Sequence, residues 1–344
     1  MRTVGLVAFL LSACAPKTGV APPVSTDAAL PTGRAPLAGD RQELLAELVT
    51  EGPVKQRVSA SPAELVVFYG GEHKGSLETC GCPKRPRGSF ARFATYVNAA
   101  REANPGVPSI TVNAGYWLQE AMGFDGKPRA DLEIANRYMV EGSRMLGWDA
   151  LNVAYPDVAG LTTLAPDGGA PLPLVSANVT GPGVNRWIIL ERDGRRVGIT
   201  GITAVGQLLA ETPGYTLAPP SAAGPVLDAL AAEVDTVVLL AFQATEVAQA
   251  LAKAHPVDVV IDAAMYRDFA ASSYVGGAAW AFSNFQTMRL GELRLRLTDG
   301  AVMGGVSRHI DLDPDVADEP RLAALTRRAR TELDAAQQAM YGAP

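Results

Sequence analysis

The chain has 344 residues, 48% of them hydrophobic, which is enough for one large buried core. Its formal net charge of -6 excludes a general affinity for nucleic-acid phosphates, so no nucleic-acid partner is expected. It contains only three histidines and three cysteines, so imidazole- or thiolate-rich metal clusters have little to draw on.

Met1 to Ala13 has the form of a secretory signal: Arg2 supplies charge and Val4 to Leu11 a short apolar run. That run falls well short of the about 20 residues that cross a bilayer. It ends in Leu11-Ser12-Ala13-Cys14, which resembles a bacterial lipobox. The resemblance implies cleavage before Cys14 and a diacylglycerol and palmitate anchor on that cysteine. Acyl chains contribute about 0.8 kcal/mol per buried methylene, so more than one gives stable anchoring. Ala15 follows where an inner-membrane retention signal has Asp. The expected location is therefore the bacterial cell envelope, lipid-anchored in the outer membrane. Residues 14–40 are rich in Pro, Ala, Gly and Thr without periodicity, and read as a flexible tether.

Residues 41–344 read as one domain ending in a helix. Arg41 to Val49 has helical spacing. Then come a strand at Leu65 to Tyr69, a helix at Arg92 to Asn104 and a strand at Ser109 to Asn113. A helix at Ala130 to Leu146 follows, then strands at Ala150 to Val153 and Leu174 to Asn178. Strands at Arg186 to Arg192 and Arg196 to Thr203 flank Asp193-Gly194, a hairpin turn signal. Helix Ala222 to Ala232 leads to strand Thr236 to Ala241, and helix Glu246 to Ala254 to strand Val257 to Asp262. Thr287 to Leu297 and Ala301 to Leu312 form a second hairpin around Asp299-Gly300, before a polar helix from Glu319 to Ala339. Several strands are continuous Val/Ile/Leu runs, as when both faces are buried. The pattern fits an α/β (α+β) four-layer αββα sandwich with two mixed β-sheets.

Leu65 to Arg92 carries the most specific signal: an apolar strand, Gly70-Gly71, Glu72-His73, Cys80-Gly81-Cys82, a basic loop, then Gly88-Ser89-Phe90-Ala91-Arg92. It resembles the opening of the calcineurin-like metallophosphoesterases, in their 5'-nucleotidase and UDP-sugar hydrolase branch. The order of motifs continues to about Leu312. The resemblance implies the metallophosphoesterase sandwich and, in an intact member, two metals that hydrolyse phosphoesters. His73 keeps its motif position, but other positions depart. Gly71 stands where the first ligand Asp is expected, and Tyr116, after Asn113-Ala114-Gly115, where a bridging Asp is expected. Ala154 and Tyr155 replace the Asn-His pair, Phe242 replaces a ligand His, and the last His pair falls near Ala264, Met265 and Tyr266. The branch's C-terminal nucleotide-recognition domain is expected to be absent.

Two divalent cations need converging oxygen and imidazole donors and a bridging anion. One His with Gly, Ala, Phe and Tyr does not supply them. The expectation is a non-hydrolytic protein acting in binding or scaffolding, with an envelope protein or a small molecule as partner and no resident cofactor. Two alternatives stand beside it: a phosphoester hydrolase with rearranged ligands, and a thiol redox or soft-metal protein.

Cys80 and Cys82 leave three readings open. They are a loop disulfide of local importance, a redox-active dithiol whose disulfide closes a small strained ring, or, with His73, a site for Zn or Cu(I). Lys84, Arg85 and Arg87 favour the thiolate, although such a basic run is ordinarily solvated. Glu72 reads as a solvated loop carboxylate, Tyr116, Trp117 and Tyr155 as core filling beside the cleft, and His255 and His309 as incidental.

Overall fold

The structure is a computed structural model that describes residues 42–342 except 121–122, 124–126, 128, 165–168, 207–211, 264–271, 285 and 287. Cys14 and the 14–40 segment lie outside the described residues, as do Ala264, Met265 and Tyr266.

In chain order the elements begin with β1 (Leu44–Val49), α1 (Val54–Arg57), β2 (Leu65–Gly70), α2 (Phe90–Ala103), β3 (Ser109–Asn113) and α3 (Ala130–Leu146). Next are β4 (Ala150–Asn152), α4 (Tyr155–Thr163), β5 (Leu174–Val175), β6 (Val179–Thr180), β7 (Val184–Asn185), β8 (Ile188–Arg192) and β9 (Arg195–Thr203). Then follow β10 (Thr216–Leu217), α5 (Gly224–Ala231), β11 (Thr236–Phe242), α6 (Thr245–Ala254) and β12 (Val259–Asp262). The series ends with β13 (Ser272–Val275), β14 (Ala278–Phe282), β15 (Arg289–Thr298), β16 (Ala301–Asp311) and α7 (Pro320–Tyr341).

Two mixed sheets form. One has the order β1-β16-β15-β2-β3-β4-β5-β7 and the other β13-β14-β12-β11-β9-β8. Strand alternation builds three apolar layers from them. Leu65, Val67 and Tyr69 of β2 face the space between the sheets, where they meet Val238, Leu240 and Phe242 of β11. Val66 and Phe68 turn the other way, onto Phe93 and Val97 of α2, Met139 of α3 and Leu325 of α7. Val237, Leu239 and Ala241 of β11 pack with Leu227 and Leu230 of α5 and Leu251 of α6. The layers are therefore helix, sheet, sheet, helix, as the sequence implies. No helix among the described residues is long and apolar enough to cross a membrane.

Local chemistry explains the agreement. Helix α3 starts with Asp131 and Glu133 in its first turn and stops at Gly147, whose φ of 75° is left-handed. Asp193 and Gly194 have φ of 50° and 72°, the paired positive values of a tight hairpin turn, between antiparallel β8 and β9.

The segment at Arg41 to Val49 is corrected: Leu44–Val49 is an edge strand, paired in parallel with β16 from Leu44↔Gly305 to Val49↔Ile310. Its leucines and alanine suit a helix. The open edge of β16 offers a ladder of backbone hydrogen bonds, and that tertiary demand overrides local propensity. The hairpin of β13 and β14 has no counterpart among the expected elements, although its turn, Gly276-Gly277, is legible.

A buried ionic network lies along β15 and β16. Glu292 accepts from Arg294 at 2.8 Å, Arg308 at 2.7 Å and the Tyr96 hydroxyl at 2.5 Å. Fully buried Arg57 donates to the Asp311 carbonyl and to Asp313 Oδ1, the latter at 2.8 Å. His309, also buried, sits edge-on to Tyr69 at 6.4 Å, and burial lowers its pKa to about 4. His255 makes a surface pair with Asp228 at 2.9 Å.

Candidate functional site at the strand ends

Strands β2, β3 and β4 run parallel, as do β9, β11, β12 and β14. Their carboxyl ends deliver Gly71, Tyr116, Ala154, Tyr155, Phe242 and Ala263. Open α/β sheets place ligand sites at such ends.

The fit of these residues to a pair of metals is poor. A Cβ on Gly71 would come within 2.9 Å of Ser283 Oγ, so a side chain there needs that hydroxyl to turn away. Gly115, at φ +120°, has Ala154, Asn152 and Phe242 at 3.1–3.2 Å from the position of a Cβ. Those groups crowd the point where the strand ends meet. Tyr116 packs edge-on to Phe242 at 5.6 Å, and Tyr155 lies tilted against Phe242 at 5.9 Å. Lys74 Nζ is 5.0 Å from the centre of the Tyr116 ring. Burial, then the charges of Glu120 and Asp157, push the Tyr116 phenol up to about 12, so it stays protonated and a poor cation ligand.

Two nearby carboxylates are already committed. Asp262 accepts from Thr245 Oγ1 at 2.9 Å and Trp280 Nε1 at 3.2 Å. Asp157, fully buried, accepts the N–H groups of Tyr116 at 3.0 Å, Leu118 at 2.8 Å and Ala154 at 2.9 Å. Burial raises the Asp157 pKa to about 7 against the pull of those donors. Among the described residues no three His, Cys, Asp or Glu side chains are grouped to hold a metal ion. The described residues do not fit a dinuclear centre.

Asp157 is the residue of this region whose role was not read from the sequence. Its signal is Tyr155-Pro156-Asp157, with Pro early in a helix and an acid at its third position. Through it the start of α4 holds the loop after β3, where Tyr116 has a left-handed φ of 56°. Trp117 fills the core, fully buried, as expected.

Two expectations are corrected here. Glu72 is not a solvated carboxylate: it is buried, at a left-handed φ of 53°, and its charge reaches Tyr116. His73 does not join the two cysteines. It is buried edge-on to Phe90 at 4.6 Å, with Trp148 at 6.0 Å. Burial lowers its pKa to about 3, so the ring is neutral. Among the described residues His73, Cys80 and Cys82 are not grouped as a three-ligand site; the imidazole lies in the aromatic pocket under α2 instead.

The thiol loop itself is well held. Thr79 bridges Gly88, and Cys80 N donates to Arg87 O at 2.7 Å. Both cysteines are free thiols, Cys80 half-buried and Cys82 exposed. The basic run is only partly solvated. Lys84 is exposed, but Arg85 pairs with Asp313, and Arg87 with Asp311 at 3.3 Å. Arg92 donates to the carbonyls of Pro86 at 2.7 Å and Leu312 at 3.0 Å. The acids after β16 thus clamp the loop.

Neither a protein-family model nor a curated protein matches the sequence. Solved structures do match in fold. Sulfate thiohydrolase SoxB from Thermus thermophilus superposes with a TM-score of 0.64 at 13% identity, covering 80% of this chain and 61% of its own. A 5'-nucleotidase precursor from Thermus thermophilus gives 0.62 at 17% identity, covering 79% and 59%. The calcineurin-like phosphoesterase YfkN from Bacillus subtilis gives 0.59 at 16% identity, covering 80% of this chain and 99% of that one. The chain spans about three fifths of the first two. The fold of this chain is that of the calcineurin-like metallophosphoesterases, in the form found in the 5'-nucleotidases.

Proposed function

We propose that the chain is a cell-envelope lipoprotein that has kept the metallophosphoesterase fold without its hydrolysis, and acts in binding or scaffolding. The observation that carries this is the aromatic closure of the strand ends: Tyr116, Tyr155 and Phe242 pack together where donor side chains would converge. Fold alone does not assign an activity; the site does. An envelope protein or a small molecule is the expected partner, and the clamped Cys80-Gly81-Cys82 loop is the expected working surface.

The test is phosphoester turnover by the full chain carrying Cys14→Ser, supplied with Mn, Zn or Mg. The expected rate is that of the buffer with metal alone. Turnover that depends on the protein would instead favour a hydrolase with rearranged ligands.

The anchor rests on the Leu11-Ser12-Ala13-Cys14 context. Cys14→Ser should move the protein from the membrane fraction to the soluble fraction with its circular dichroism unchanged. Unaltered fractionation would remove the anchor from the account.

A further inference from the structure

The two thiols of the clamped loop are not equivalent. Cys80 Sγ receives the backbone N–H of Arg87 at 3.2 Å, whereas Cys82 stands in solvent. Cys80 also lines a groove of about 380 Å³ between the loop and α7, together with Glu78, Ser89, Arg92, Arg327 and Arg330. Gly81 places nothing in the way: a Cβ there would meet no atom within 4 Å. The clamp by Asp311 and Asp313 holds this geometry, and the Arg87 guanidinium that pairs with Asp311 adds positive charge to the loop.

We propose that Cys80 is the nucleophile of a thiol–disulfide exchange site, whose substrates are accessible disulfides admitted to the groove beside α7. This rests on the loop being a working surface, and is independent of what the strand-end cleft does.

The electrostatics agree with the geometry. Burial opposes the Cys80 thiolate, but the Arg87 N–H, the neighbouring Cys82 and the Arg87 charge outweigh it, and the pKa falls below the ordinary thiol value. Cys82 is pushed the other way by its hydrogen bond to Cys80 and by that sulfur's charge. Of the two thiols, Cys80 is therefore the one that ionises first.

The chemistry balances without an outside oxidant. The Cys80 thiolate attacks one sulfur of the substrate disulfide. A Cys80–substrate S–S bond forms, the substrate S–S bond breaks, and the second substrate sulfur leaves as a thiolate. Cys82 is one residue away, so its attack on the mixed disulfide would close a small strained ring. A thiolate of the substrate attacks more favourably. It forms a new substrate disulfide and releases Cys80 as the thiolate. The net result is disulfide reshuffling, with no change in oxidation state.

The experiment uses the full chain with Cys14→Ser, in which Cys80 and Cys82 are the two remaining thiols. Glutathione disulfide at pH 7 is the small probe, and a protein with scrambled disulfides is the macromolecular one. Peptide mapping should find the mixed disulfide on Cys80. It should form several-fold faster than on Cys82 in a Cys80→Ser chain, since a lowered pKa raises the thiolate fraction by more than it lowers the nucleophilicity. Cys82→Ser should keep the attack, and Cys80→Ser should lose acceleration of reshuffling. Reaction with glutathione alone would assign the site to small disulfides; reshuffling of the scrambled protein would assign it to polypeptides. Equal, ordinary reactivity of the two thiols, or full reshuffling by Cys80→Ser, would overturn the proposal. Should Cys80→Ser fail to fold, the pH profile of Cys80 alkylation in the unsubstituted loop decides. The midpoint should lie below the about 8.5 of a free thiol, and a midpoint at or above it would overturn the proposal. Phosphoester turnover in the same samples would concern the cleft and leave this result untouched.

Discussion

Asp157→Ala should be among the most destabilising single substitutions in the chain. The carboxylate is fully buried and takes the backbone N–H groups of Tyr116, Leu118 and Ala154. Removing it leaves three buried or partly buried donors without an acceptor. An orphaned buried group costs about 1 to 3 kcal/mol, and partial relaxation of the loop makes ~4 kcal/mol the expected total. Asp157→Asn keeps one acceptor oxygen but turns an NH₂ toward N–H groups, so it should cost about half as much. The loss should appear in urea unfolding as a lower midpoint at unchanged slope. Asp157→Ala with unchanged stability would mean that the loop after β3 is held by something else. Tyr116 would then need another reason for its left-handed backbone.

Arg57→Ala should have a comparable effect, with a second consequence at a distance. Arg57 is fully buried and donates to the Gly52 carbonyl, the Asp311 carbonyl and the Asp313 carboxylate. Its loss leaves the buried Asp313 carboxylate with Arg85 and the Asp315 N–H as remaining partners, and breaking such a pair from one side costs about 3 to 5 kcal/mol. Burial by itself would raise the Asp313 pKa, but Arg57 and Arg85 overcome it and hold the group below the ordinary carboxylate range. A carboxylate with a depressed folded pKa stabilises above its unfolded value near about 4, and that contribution is lost as the pH falls. Arg57→Ala should therefore weaken the chain at pH 7 and flatten its acid sensitivity. Because Arg85 belongs to the thiol loop, the same substitution should raise amide exchange around Cys80. Rapid exchange confined to α1 would count against the clamp.

Much of the fold is legible in the sequence because its elements carry their own signals. The β2 and β11 runs are apolar on both faces, α3 is bracketed by acids and a terminal glycine, and Asp193-Gly194 can hardly be anything but a turn. What the sequence conceals depends on partners distant in the chain. Strand β1 is a strand only because β16, near the other end of the chain, presents an open edge. The cleft is half legible. Gly71, Tyr116, Ala154, Tyr155 and Phe242 are each visible as departures from a motif. That Tyr116 and Tyr155 both pack on the Phe242 ring is a fact of the folded sheets. His73 shows the converse: its motif position is kept, yet Phe90 and Trp148 enclose its ring. Glu72 also reads as solvated and is buried, and Arg85, though exposed, is paired with Asp313; neither the burial nor the pairing leaves a local trace.

The most direct test of the central claim is a metal-dependent turnover measurement on the full chain with Cys14→Ser and its two loop thiols alkylated. A generic phosphoester, a 5'-nucleotide and a sugar nucleotide serve as substrates, each with Mn, Zn and Mg. Alkylation removes the only thiolate ligands, so any metal effect must come from the strand ends. No rate above metal in buffer is expected for any pairing, and the same null result is expected for His73→Ala. Saturable, metal-dependent hydrolysis that disappears in His73→Ala would contradict the loss of hydrolysis, since the buried imidazole would then have to turn out of its aromatic pocket to hold a metal.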